Sequence, residues 1–80
     1  MPERHAMLGQ RAELLPQRQR LRVECEALRD RLRLALPIQD DVDALDGGNI
    51  LETAIALKTN LDELSGMNRK IEILSRELGA

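Results

Sequence analysis

His5 and Cys25 are the only imidazole and the only thiol in the chain. On one continuous helix they would stand about 30 Å apart at 1.5 Å per residue, too far to form a thiolate–imidazole pair. Nor do one histidine and one cysteine make a conventional structural zinc site. Asp40, Asp41, Asp43 and Asp46 form an acidic cluster. A calcium loop needs ligands at its first, third and fifth places, glycine at the sixth and glutamate at the twelfth. Asp41, Asp43 and Glu52 meet three of these requirements, but Leu45 and Asp46 stand fifth and sixth. The cluster is therefore read as a solvated, capped loop. With no acid–base pair, nucleophile or phosphate-cradling glycine loop, the chain reads as non-enzymatic, with no cofactor and no metal.

Arginine is the remaining chemistry. Arg4, Arg11, Arg18, Arg22, Arg29 and Arg33 fall within roughly 60° of arc at ~100° per residue, and Arg20 and Arg31 lie on the other flank. Charges beside an apolar seam set partner choice through ion pairs. The expected carboxylates are Asp62, Glu63, Glu72 and Glu77, or acids of a partner chain. Arginines in line also suit a phosphate backbone. Against nucleic acid stand the acidic cluster, the net charge of −2 and the complete absence of Phe, Tyr and Trp, which removes stacking on bases.

Two helices must position these groups. Met7, Leu14, Leu21, Leu28 and Ala35 recur every seven residues, with Cys25 and Leu32 at intervening steps. Ile50, Ala54, Leu57, Leu61, Leu64, Asn68, Ile71, Ser75 and Leu78 follow in steps of four and three. Such spacing puts one apolar stripe along each helix, as in a coiled coil. The expected fold is all-α: an antiparallel hairpin forming one domain over residues 1–80. Helix one is expected near 3–36, an acidic turn over 37–48, and helix two near 49–79. Pro16 interrupts helix one, and a kinked continuation is favoured because the seam keeps phase across it and because helix two needs a partner of equal length. Pro37 ends the first helix. Asp40 or Asp41 is expected to cap a short turn that Gly47 ends, while Asn49, with Glu52 as capping-box partner, or else Asp46, caps helix two. Ile38, Val42 and Leu45 are expected to close the end of the bundle.

Ala56, Met67 and Leu74 widen the apolar arc of helix two beyond a two-stranded seam. Eighty residues without a disulfide bury little surface. Together these predict a homodimer in which two hairpins form a four-helix bundle. The expected interface comprises Leu14, Leu21, Cys25, Leu28, Leu32, Leu57, Leu61, Leu64, Met67, Asn68, Ile71, Leu74 and Leu78. Asn68 in the seam is expected to set register, since a buried amide needs a matching partner. The partner-selecting charges are Arg11, Arg18, Arg22, Arg29, Arg33 and the four turn aspartates. Cys25 is expected to be a buried, inert thiol.

Charge divides the chain into zones. Residues 1–36 hold eight arginines against five acids, residues 37–49 four aspartates and no base, and residues 50–80 four bases against five acids. No stretch approaches the ~20 apolar residues of a membrane span. The first ten residues lack a continuous hydrophobic block, and the expected setting is the cytoplasm. The expected function is a protein–protein interaction module, as scaffold, adaptor or small helical chaperone. In tip charge alone the chain is similar to the acidic-tipped coiled coils that enter the RNA polymerase secondary channel, which makes polymerase regulation an alternative. Small helical-hairpin secretion co-chaperones are similar in size and leucine content, without a shared motif.

Overall fold

Leu, Ala, Arg, Glu and Gln dominate the first thirty-five residues, and all of them lose little on entering a helix. The computed structural model describes residues 2–39 and 41–79, so the Asp40 reading lies outside the described residues. Helix α1 runs Pro2–Ala35 and stays helical through Pro16. Pro16 and Ala12 are both exposed, so the Ala12 carbonyl that loses its helical donor faces water and not the seam. Glu3 in the first turn and Arg33 in the last suit the helix dipole. The helix stops as expected before Pro37, with the Leu36 N–H donating back to the Arg33 carbonyl at 3.2 Å.

The turn is organised by two aspartates. Asp41 caps a single 3₁₀ turn, Val42–Ala44, its carboxylate accepting from the Asp43 N–H at 3.3 Å. Leu45, not Gly47, ends that turn. Asp46 caps helix α2, Gly47–Glu77, and accepts from the Asn49 N–H at 3.1 Å. Of the two cap candidates the structure uses Asp46. Asn49 falls within the first turn, where its side chain accepts from the Thr53 hydroxyl at 3.4 Å. At the far end Leu78 is the C-cap, and Gly79 follows at φ 73° with its N–H bonded to the Arg76 carbonyl. A side chain there would be strained, which is why helices so often end on glycine.

Helices α1 and α2 pack antiparallel into a rod 62 × 17 × 16 Å. On α1 the buried and half-buried positions are Met7, Arg11, Leu14, Arg18, Leu21, Cys25, Leu28, Leu32 and Ala35, with Leu15 beside them. They follow one another in steps of four and three. The leucine seam read from sequence is present, but Arg11 and Arg18, expected on its flank, occupy two of its steps.

On α2 the seam is rotated from the expected one. Thr53 and Ile71 are buried, and Leu57, Asn60, Leu64, Met67, Leu74 and Leu78 are half-buried. These residues again alternate four and three. Ala54, Asn68 and Ser75 are half-buried on one edge of this seam, and Leu61, expected at its centre, is 46% exposed. Ser75 and Asn68 accept hydrogen bonds from Arg11 and Arg18 at that edge, while the line through Thr53 and Ile71 is the one turned inward. Thr53, only 3% exposed, is tolerated there because its hydroxyl donates within its own helix.

Ile38 and Val42 do not close the end of the rod. Ile38 is 97% exposed and Val42 largely so, while Leu45 is half-buried.

Candidate interaction surfaces

Two antiparallel helices have two open sides, and here they differ in chemistry. Two hydrogen bonds identify the arginine side and give the register. Arg11 Nε donates to Ser75 Oγ at 3.0 Å, and Arg18 Nη1 donates to Asn68 Oδ1 at 3.4 Å. Seven residues up α1 are thus matched by seven residues down α2. The next step reaches Cys25 and Leu61, which line one hollow with Glu26, Arg29 and Leu57. Beyond it, Arg29 also lines a second hollow, with Leu32, Arg33, Leu36, Pro37 and Ile38. Arg4 reaches the Leu78 carbonyl at 3.4 Å at the opposite end of the stripe.

The expected ion pairs between the helices are not made. Among the described residues the salt bridges all lie within one helix: Arg29–Asp30, Lys58–Asp62 and Arg76–Glu72. Asp62 and Glu72 are therefore engaged by bases of α2, four residues away in each case. The i,i+4 spacing brings those side chains together without crossing to α1. Lys58 is held above its ordinary pKa, chiefly by the hydrogen bond to Asp62 and then by its charge. Apart from Arg29 on its neighbour Asp30, the described arginines of α1 meet neutral oxygens across the seam or form no ion pair. Arg22, Arg29 and Arg33 are exposed.

The other side is mixed in charge. One groove is lined by Gln10, Glu13, Leu14, Gln17, Lys70, Ile73 and Leu74. A second follows along it, lined by Gln17, Arg20, Leu21, Glu24, Glu63 and Met67. Met67 and Leu74, the edge of the wide arc read from sequence, lie here half-buried with Ala56. Ile55 and Ile73 are exposed, as expected for residues away from the seam.

Apolar burial within the hairpin is slight. Among the described residues Leu21, Cys25 and Ile71 are the buried apolar ones, and no large side chain is fully enclosed. Cys25 is a free, buried thiol. Ten large apolar side chains among the described residues are exposed, and Leu34, Leu36, Ile38, Val42, Leu51 and Ile55 crowd toward the turn end. No buried polar side-chain atom among the described residues lacks a hydrogen-bond partner.

Of the turn acids, Asp41 and Asp46 are spent on caps, and Asp43 is exposed, with its backbone N–H on Asp41. Among the described residues no three His, Cys, Asp or Glu side chains converge as a metal ion would require. No described helix is long and apolar enough to cross a membrane. What sequence reasoning missed was the seam placement of Arg11 and Arg18. The signal was available, since each lies four residues after one seam residue and three before the next, at the heptad positions between Met7, Leu14 and Leu21. Comparison with protein-family models, with curated proteins and with solved structures returned no match.

Proposed function

We propose that this protein is a non-enzymatic protein–protein interaction module, a scaffold, adaptor or small helical chaperone, which pairs with a second copy to complete its core. The observation that carries the reading is the poverty of the hairpin's own core beside the wealth of apolar surface it leaves in water. Hairpins of this size ordinarily need a further staple or a partner. The lone unbridged thiol supports a cytoplasmic setting.

The mixed-charge side is the surface for pairing. A two-fold axis brings the same patch of both copies together. On that side Glu13, Glu24 and Glu63 share the surface with Arg20 and Lys70, so opposite charges can meet around Leu14, Met67 and Leu74. On the other side a two-fold axis would set one arginine stripe against another. Two such hairpins would form a four-helix bundle.

Sedimentation equilibrium tests this directly. The expected result is a concentration-dependent dimer that Met67→Glu with Leu74→Glu converts to monomer. A wild-type chain that stays monomeric at high micromolar concentration would overturn the pairing. Polymerase regulation through the turn draws less support, because two of its acids are engaged in capping. A nucleic-acid role draws less support because neither stacking rings nor a positive net charge accompany the arginines.

A further inference from the structure

We infer that the arginine side is a docking groove for an acidic amphipathic helix of another protein, a partner class that rests on the interaction-module reading above. Three observations converge on it. First, the stripe is not neutralised from within. Of its six arginines only Arg29 forms an ion pair among the described residues, with its neighbour Asp30, and both of those side chains are more than half exposed. A pair of that kind is worth little and is readily exchanged.

Second, the stripe runs beside exposed apolar surface. Cys25, Leu57 and Leu61 floor one hollow, whose wall carries Glu26 beside Arg29, and Leu32 and Leu36 floor the next, whose wall carries Arg29 and Arg33 with the exposed Ile38 at its rim. Leu61 and Leu36 are each more than two-fifths exposed. From Cys25 to the end of α1 at Ala35 the two hollows extend about 15 Å at 1.5 Å per residue, room for about three turns of a helix. An apolar floor with a basic wall is complementary to a helix with a leucine stripe and a glutamate flank. A phosphate backbone would match the wall and leave the floor uncovered.

Third, the arginines are spaced as helical partners need them. Arg22 and Arg29 lie seven apart, and Arg29 and Arg33 four apart. Glutamates at the same intervals on one face of a docked helix would meet them in register. Complementary charge of this sort mainly selects the partner and its alignment, while the apolar contact supplies affinity.

The experiment is fluorescence anisotropy of the full chain with a dye-labelled helical peptide of about 14 residues, carrying leucines on one stripe and glutamates beside it. Three control probes accompany it: the same peptide with lysine for glutamate, the same with serine for leucine, and a single-stranded oligonucleotide. The leucine–glutamate peptide is expected to bind, and both peptide controls to bind at least about tenfold more weakly, a difference of 1.4 kcal/mol. Arg29→Glu with Arg33→Glu should weaken it by a similar factor and transfer preference to the lysine peptide. That transfer also certifies that the variant is folded. Leu61→Asp should weaken it as well.

No binding of the leucine–glutamate peptide at hundreds of micromolar would overturn the inference, as would equal binding of the serine control. Tighter binding of the oligonucleotide, insensitive to Leu61→Asp, would overturn it in favour of a phosphate track. Because the probe engages the side opposite Met67 and Leu74, its failure beside intact self-association refutes the partner class and leaves the interaction module standing.

Discussion

In the half of the rod nearest the chain ends, Arg11 and Arg18 stand in the seam and donate to Ser75 and Asn68. In the half nearest the turn the corresponding steps of α1 are taken by Cys25 and Leu32. The two halves share one backbone geometry and differ in those steps. Apolar layers tolerate several alignments, since one leucine contacts another equally well a turn away. A guanidinium half removed from water does not tolerate them, because it requires an acceptor at one place. The two arginine contacts are expected to specify register, while cohesion comes from the apolar seam of both halves, with Ile71 between those contacts and Leu21 and Cys25 beyond them.

The largest expected effect is on cohesion. Leu21→Ala should cost about 2–5 kcal/mol in urea unfolding at fixed protein concentration, as for a buried leucine. Leu61→Ala, half exposed in the hairpin, should cost under about 1.5 kcal/mol, in proportion to the area it buries. Equal losses at the two sites would break the comparison, since they would mean that another chain covers the Leu61 hollow in solution.

The turn end contributes its own term. Asp46→Ala should destabilise by about 1 kcal/mol, the usual worth of an N-cap. Asn49→Ala should cost distinctly less, because Asn49 only accepts a long hydrogen bond from Thr53. The same unfolding measurement checks both, and a larger loss at Asn49 would return the cap to that residue.

The smallest expected effect is the most specific. A double-mutant cycle on Arg11 and Ser75 should return about 0.5–1 kcal/mol of coupling, and the longer bond between Arg18 and Asn68 less. Arg18→Leu combined with Asn68→Leu should raise the melting temperature, because apolar replacements of a half-buried polar pair pack well. It should also split or broaden the amide peaks in heteronuclear NMR as alignments compete. A more stable variant with one sharp set of peaks would show that the apolar half alone holds the register.

Much of this arrangement was legible in the residues. Apolar residues every seven positions from Met7 to Ala35, with Cys25 and Leu32 between them, pointed to a helix with one apolar stripe. Pro37 had to end it, and the aspartate-rich turn had to contain caps. The seam phase shared by Met7, Leu14 and Leu21 carried α1 through Pro16, and the structure keeps that helix unbroken. Less legible was the turn's surface. Ile38 and Val42 are apolar and sit beside a hairpin end, yet burial depends on whether other atoms arrive to cover them, and none in the hairpin does.

Local sequence determined two helices, their lengths, their antiparallel sense and the acidic link between them, because propensity, capping and proline geometry act over a few residues. Only the tertiary structure decided which line of α2 faces α1. The apolar arc of α2 is broad enough that a line through Ala54, Leu61, Asn68 and Ser75 and a line through Thr53, Asn60, Met67 and Leu74 are both acceptable by hydropathy. The structure turns the second line inward and leaves Asn68 and Ser75 at its edge, where they accept from Arg18 and Arg11, contacts between residues fifty and sixty-four positions apart in the chain. Periodicity records how apolar a face is, whereas the rotation of one helix against another depends on the partners its polar groups find there.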